Sequence, residues 1–322
     1  MPVPAFHARR LTATILFAFA STLLGFASPG SGGPAPGTPD SGERFSFRHL
    51  DTGDGLSGDS VYCMLQDRLG YLWLGTFSGL SRYDGARVVI YRPVPGDPES
   101  LPSSLIFDIH EDYAGTLWIA TDGGGLARYS RDSDAFERFS HDQSIPGSLG
   151  SDRIFTVADD PYGWIWVGTA DAGLDRFDSI RGVFAHYGMA DGLPSDTIRT
   201  LLCDADGELW VGTTAGLARY DRMKDSFLAI GSTGKSTVRA LMQDRDGNIL
   251  VGTEGRGVFS FDPETGTTSA VALGAGSETL LVRAFAMENS GRVWVGTEDK
   301  GIRILDSGGT SSIEVRAAPA QP

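Results

Sequence analysis

Asp67-Arg68-Leu69-Gly70-Tyr71-Leu72-Trp73-Leu74-Gly75-Thr76, followed by Gly79-Leu80, is one of six copies of a single pattern. Each copy runs Asp (once Glu), two residues, Gly, two residues, Trp, an apolar residue, usually Gly-Thr, then Gly and an apolar residue. The second copy carries Asp112, Gly115, Trp118, Thr121 and Gly125, with Ala120 in place of the Gly. The third carries Asp160, Gly163, Trp166, Gly168, Thr169 and Gly173, and the fourth Asp204, Gly207, Trp210, Gly212, Thr213 and Gly216. The fifth keeps Asp244, Gly247, Gly252, Thr253 and Gly257 but has Leu250 where the Trp belongs; the sixth has Glu288, Gly291, Trp294, Gly296, Thr297 and Gly301. The Trp-equivalent positions lie 45, 48, 44, 40 and 44 residues apart. A period of about 40–45 residues is the length of one four-stranded propeller blade.

The first copy shows why this pattern makes a blade. Val61–Leu65 is an apolar run long enough for a strand and too short for a helix. Asp67 caps a turn and Gly70 supplies its positive φ. Leu72–Thr76, Leu80–Tyr83 and Val88–Tyr91 read as the second, third and fourth strands, and no window from Arg44 to Pro322 has helical periodicity. Both faces of each strand are apolar because blades pack on blades. The Gly after the second strand permits close approach of the next backbone. Asp204-Ala-Asp-Gly207 and Asp244-Arg-Asp-Gly247 read as hairpins and not as calcium loops, which need further ligands and a distal Glu. The expected fold class is all-β, a β-propeller of four-stranded antiparallel blades with six motif copies.

Outer strands are expected seven times, at 45–50, 87–92, 135–140, 183–187, 226–230, 268–273 and 312–316. The surplus strand at 45–50 predicts a seventh blade, so the expectation is an incomplete seven-bladed ring, from a longer or split protein, over a self-sufficient six-bladed one. The propeller is assigned to 44–317, with a tail at 318–322. Residues 1–27 read as a secretory signal: His7-Ala-Arg9-Arg10, then apolar Leu11–Leu24, then Gly25-Phe26-Ala27. The apolar run is short for a membrane anchor, which stands as the second reading. Residues 28–43 are a Pro/Gly/Ser-rich linker. A periplasmic or secreted product follows.

The chain carries a formal charge of −14. Removing the two Arg of residues 1–27 from the 27 basic residues leaves 25 against 41 acidic ones, a net −16. That balance argues against nucleic acid and anionic membranes. Cys63 and Cys203 fall in the inner strands of copies one and four, far apart around a ring, and read as buried thiols, not a disulfide. His49, His110, His141 and His186 share no metal-ligand spacing, and no nucleophile elbow occurs, so no catalytic residue, metal site or cofactor is expected.

The repeat, with its lead-ins Gly192-Leu193-Pro194 and Gly55-Leu56-Ser57, resembles the two-component regulator propeller over residues 44 to about 306. The resemblance implies the sensor half of a hybrid histidine kinase or related receptor, whose best-known members sense oligosaccharides. In that plan two seven-bladed propellers precede a β-sandwich, a membrane helix and a cytoplasmic output domain. This chain lacks the β-sandwich, a second hydrophobic span and any kinase or cyclase motif. A sensory input role carries over and enzyme activity does not. The implied partners are a small-molecule or glycan ligand, a membrane-bound signalling partner or C-terminal transmitter, and a second copy in a homodimer. The alternative is a secreted protein-interaction scaffold.

Propeller ligands usually sit where the inner strands start. Aligning those strands puts Tyr62, Phe107, Phe155, Arg199, Arg239 and Arg283 at one position: three aromatics, then three arginines. Aromatic faces suit sugar rings and guanidinium forks suit carboxylate or sulfate, so an acidic oligosaccharide matches this split. The same side chains also suit packing between blades, with the Arg heads pairing with Asp59, Asp152 and Asp196. Phe77, Asp122, Asp171, Glu254, Arg256, Glu298 and Lys300 lie in the variable loops after Gly-Thr, where a constant frame usually carries its binding residues. Arg82, Arg128, Arg176 and Arg219 recur before the Tyr or Phe of the third strand and read as structural, as ion pairs between blades.

Overall fold

The computed structural model describes residues 50–231, 234–274, 276–298, 300–306 and 312–315. The expected leader, linker and tail, and the strand at 45–50 apart from Leu50, lie outside them, and so does His49. Blade one contains β1 (Val61–Gln66), β2 (Leu72–Thr76), β3 (Gly79–Tyr83) and β4 (Val88–Tyr91); blade two β5 (Ile106–Glu111), β6 (Leu117–Thr121), β7 (Leu126–Ser130) and β8 (Ala135–Phe139). Blade three contains β9 (Ile154–Asp159), β10 (Ile165–Thr169), β11 (Leu174–Asp178) and β12 (Val183–Tyr187); blade four β13 (Ile198–Cys203), β14 (Leu209–Thr213), β15 (Gly216–Asp221) and β16 (Ser226–Ile230). Blade five contains β17 (Val238–Gln243), β18 (Ile249–Thr253), β19 (Val258–Phe261) and β20 (Thr268–Val271); blade six β21 (Val282–Met287), β22 (Val293–Thr297), β23 (Ile302–Leu305) and β24 (Ser312–Val315). Each blade is an antiparallel sheet in chain order, and the six are laid around a ring as an all-β propeller, each inner strand packing on the next from β1 to β21. Helical structure among the described residues is confined to short 3-10 turns such as Thr52–Asp54 and Met189–Asp191.

The motif explains itself in hydrogen bonds. Asp67 Oδ1 accepts the Leu69 and Tyr71 N–H groups at 3.0 Å, closing the first hairpin, and its Oδ2 accepts Trp73 Nε1–H at 2.9 Å. Asp112, Asp160 and Asp204 hold Trp118, Trp166 and Trp210 in the same way at 2.9, 3.2 and 2.7 Å. In the fifth copy Leu250 has no such donor, and Asn248 Nδ2 supplies one to Asp244 Oδ2 at 3.2 Å. The Thr of each Gly-Thr donates its hydroxyl to the carbonyl of the Gly that opens the third strand, as Thr76 does to Gly79 at 2.9 Å and Thr169 to Gly173 at 2.7 Å.

The Gly of Gly-Thr is there for a neighbouring side chain and not, as expected, for a neighbouring backbone. A Cβ on Gly212 would lie 2.5 Å from Thr200 Cγ2 and 2.7 Å from Val238 Cγ1 of the next blade. Gly212→Ala should therefore cost about 1–3 kcal/mol through overpacking, read as a lowered midpoint in guanidinium denaturation. An unchanged midpoint would show that blades four and five are packed less tightly than these distances require.

Blades are stitched in pairs. In blade two the turn between β7 and β8 sends Arg131 Nη1 back to Asp67 of blade one (2.9 Å), and Asp134 accepts the hydroxyls of Tyr91 (2.6 Å) and Tyr129 (2.5 Å). Blade four repeats this against blade three: Arg222 reaches Asp160 at 3.0 Å, and Asp225 accepts Tyr187 and Tyr220 at 2.8 and 2.5 Å. Arg82 and Arg176 donate to these same aspartates at 3.4 and 2.9 Å, which bears out their structural reading. Arg128 instead pairs with Glu137 inside its own blade. Trp73, Trp118, Trp166 and Trp210 are almost wholly buried between blades, as is Leu250. Trp294 and Thr297 are only half-buried, because among the described residues no following blade covers β22 as blade two covers β2.

Candidate functional site

Every inner strand carries a β-bulge at the same place. In β1 the register slips between Val61, opposite Thr76, and Cys63, opposite Gly75, leaving Tyr62 as the extra residue. The slip recurs around Phe107, Phe155, Arg199, Arg239 and Arg283. A bulge re-aims a side chain out of the regular alternation. All six of these side chains line a central channel of about 740 Å³. The structure thus brings together the six residues aligned from sequence.

The aromatic half is a continuous edge-to-face run. Tyr62 lies 5.5 Å from Phe107, and Phe107 5.1 Å from Phe155, centroid to centroid, with Phe77 a further 4.4 Å from Tyr62. The arginine half begins on it: the Arg199 guanidinium carbon stands 4.4 Å over the Phe155 ring. Burial pushes the Tyr62 hydroxyl up, and the Arg283 charge pulls it the other way.

The three arginines are not equivalent. Arg239 forks onto both oxygens of Glu254 at 3.1–3.2 Å, and Arg283 pairs with Glu298. Arg199 has no hydrogen-bond or ion-pair partner among the described residues, and its Nε is buried. Burial first, then the charge of Arg239, holds its pKa down to about 10. The pairing expected with Asp59, Asp152 and Asp196 does not form. Those carboxylates accept backbone N–H groups of Thr52, His141 and Met189 and so fix the lead-in loops.

The loop residues divide. Asp122 and Asp171 both face Arg153, at 3.1 and 3.7 Å, and Glu254 belongs to Arg239, so these acids act as partners of cations beside the mouth. Arg256 stands 5.0 Å over Phe259, which is not among the channel residues.

The far end of the channel was not anticipated. Asp108 stands one residue below the ring, where other blades have Cys63, Thr156, Thr200, Ala240 or Ala284, and only the inner-strand alignment could have flagged it. It accepts the Ile109 and Val157 N–H groups at 2.9 and 3.0 Å, and burial raises its pKa. Beyond it His110 Nε2 lies 2.8 Å from Asp159, which also accepts the Tyr113 N–H at 2.7 Å. Cys203 is half-buried in this wall and not fully interior, its thiol pushed up to about 12 by burial and then by Asp160. The other described histidines also have partners within the chain: His141 with the Leu149 carbonyl, His186 with Asp175, both at 2.7 Å. No group of three metal-ligating side chains gathers among the described residues.

Comparison with known proteins places this architecture. The sequence pattern described as the two component regulator propeller matches residues 55–78, 100–123, 148–171, 192–215 and 233–255. A 58-residue stretch is 43% identical to histidine kinase P4 of Formosa agariphila, covering 18% of this chain and 4% of that one. The extracellular domain of the putative hybrid two component system BT3049 from B. thetaiotaomicron superposes with a TM-score of 0.71 at 26% identity, over 80% of this chain and 35% of that one. Virginiamycin B lyase from Staphylococcus aureus shares the fold at 12% identity and a TM-score of 0.63, over 80% of this chain and 84% of the lyase. The chain therefore spans about a third of the sensor ectodomain it matches and a small part of the kinase. No helix among the described residues is long and apolar enough to cross a membrane.

Proposed function

The chain belongs to the two-component regulator propeller family, and from that premise we propose that it is the exported sensory input module of a two-component-type receptor, binding a small, glycan-like ligand at the channel mouth. One observation carries the reading. Six bulges, one per blade, aim one side chain each into the mouth, and these side chains are three aromatics and three arginines. The bulge frees each of these residues from the regular alternation of its strand. The resemblance to the ectodomain of a hybrid two component system supports a position outside the membrane, with the output domain elsewhere. Ligand binding would bias the arrangement of propellers, in one receptor or in a homodimer, and a membrane-bound partner would read that bias.

A glycan panel tests this. The purified protein should bind a member saturably, with one site per chain, and at about a hundredfold over Kd should gain about 2.7 kcal/mol of stability. Phe107→Ala with Phe155→Ala should abolish that gain. Saturable binding that survives the double substitution would refute the mouth as the site.

A second reading, a protein-interaction scaffold, has one observation in its favour. The first hairpins of blades one and three expose Leu69 and Tyr162 at the position where blades four to six carry Asp206, Asp246 and Ser290, and that of blade two exposes Tyr113 one residue earlier. That reading predicts no small ligand at the mouth.

A further inference from the structure

We propose that Arg199 is the anion-recognition point of the channel mouth, taking a single carboxylate or sulfate ester from a ligand whose ring lies along Phe155, Phe107 and Tyr62. The proposal rests on the mouth being the ligand site and names the chemistry that site selects.

Arg199 is a charge without a counter-charge among the described residues. The chain has 41 acidic residues against 27 basic ones, so a carboxylate for every buried arginine is in ample supply. Arg239 and Arg283, at the same bulge position in the next two blades, each have one, Glu254 and Glu298. Both glutamates follow the Gly-Thr of their own blades. The fourth blade has Thr214 at that position, and its hydroxyl bonds to Ser195 at 2.8 Å. Arg199 thus lacks the carboxylate its two neighbours possess.

A half-buried guanidinium without a partner is costly. The Phe155 face, 4.4 Å away, offsets part of that cost but satisfies none of the five N–H donors. Those donors form a planar fork that matches a carboxylate or sulfate with two parallel bonds. Arg239, Arg283 and Arg153 surround the position, and each is already neutralised by Glu254, Glu298, or Asp122 with Asp171. Of these four guanidinium groups Arg199 alone has no carboxylate within ion-pair distance, and it stands beside a run of aromatic edges. A ring bearing one anionic group fits that arrangement, while a neutral ring leaves the cation unmatched.

The test is a titration of the purified protein with D-glucuronate, glucose 6-sulfate and glucose, followed calorimetrically and by the arginine Nε–H resonances. Both anionic sugars should bind about tenfold or more tightly than glucose, the margin of one charged hydrogen-bonded contact, and their ratio distinguishes carboxylate from sulfate. Arg199→Gln should erase the margin while leaving the melting temperature unchanged or raised, since no hydrogen-bonded or ion-paired partner is lost and the desolvation cost of the charge is relieved. Glu254→Gln, which frees Arg239, should tighten both anionic sugars. If glucose binds as well as glucuronate, or Arg199→Gln keeps the margin, the anion point is refuted while the mouth remains a ligand site. If none of the three binds, the anion point is refuted, and if no member of the glycan panel binds either, the mouth reading falls with it.

Discussion

Asp160→Ala should lower the stability of the propeller by about 3–5 kcal/mol, the range for removing one partner of a buried ion pair. Asp160 is fully buried and uses both oxygens twice. Oδ1 accepts the Tyr162 and Trp164 N–H groups at 3.0 and 3.1 Å; Oδ2 accepts Trp166 Nε1–H at 3.2 Å and Arg222 Nη2 at 3.0 Å. Alanine would strand a fully buried indole N–H, open the hairpin and leave Arg222 without its carboxylate. The comparison that isolates the interblade charge is Asp112→Ala. Asp112 makes the same turn and the same Trp118 bond, at 2.8 and 2.9 Å, but no arginine side chain reaches its carboxylate among the described residues. Its loss should cost about 1–3 kcal/mol, the penalty for unsatisfied buried donors without the charge. Guanidinium denaturation of both variants decides. Equal losses would mean that Arg222 contributes nothing across the blade boundary.

The contrast between these two aspartates marks where sequence reading stops. The turn role of Asp67, Asp112, Asp160 and Asp204 was legible because its partners lie within four residues. So were the strands: the expected outer strand at 183–187 coincides with β12, and that at 226–230 with β16. The Asp–Trp bond spans six residues and repeats with the motif, yet the pattern cannot tell a hydrogen bond from shared burial. The stitching of Asp67 by Arg131 and of Asp160 by Arg222 spans 64 and 62 residues and, among the described residues, joins blade two to blade one and blade four to blade three. A period of one blade averages such a feature away.

The same limit applied at the mouth. The ring from Tyr62 to Arg283 emerged from alignment because each blade supplies one member at one position. That each member is a bulge residue depends on the partner strand's register, which sequence does not display. The lone status of Arg199 depends on which loop carboxylate reaches which guanidinium. Glu254 and Glu298 were visible as variable loop charges, but the pairing of each with the arginine of its own blade was not. Asn248 is the converse case. It occupies an ordinary turn position, and only the missing indole at Leu250 gives its side chain a partner.

Trp166→Ala should cost about 3–5 kcal/mol and Trp294→Ala only about 1–2 kcal/mol, although the two residues hold the same place in the repeat. Trp166 is fully buried against the next blade, with ring centroids of Tyr220 at 4.9 Å, Tyr187 at 5.7 Å and Phe227 at 6.3 Å, and Arg176 stands 5.5 Å over it. Its removal leaves a cavity walled by three rings from two blades, which cannot collapse without parting them. Trp294 keeps the motif's bond to its acid, 2.5 Å from Glu288, but stays half-exposed. Truncating it removes less buried surface and opens no closed void. The ratio of the two losses therefore measures how far the seam beside blade six is covered in solution. A Trp294→Ala loss as large as that of Trp166→Ala would show that something packs on that face. Dependence of the loss on protein concentration would identify a second copy, and independence would place the cover within the same chain.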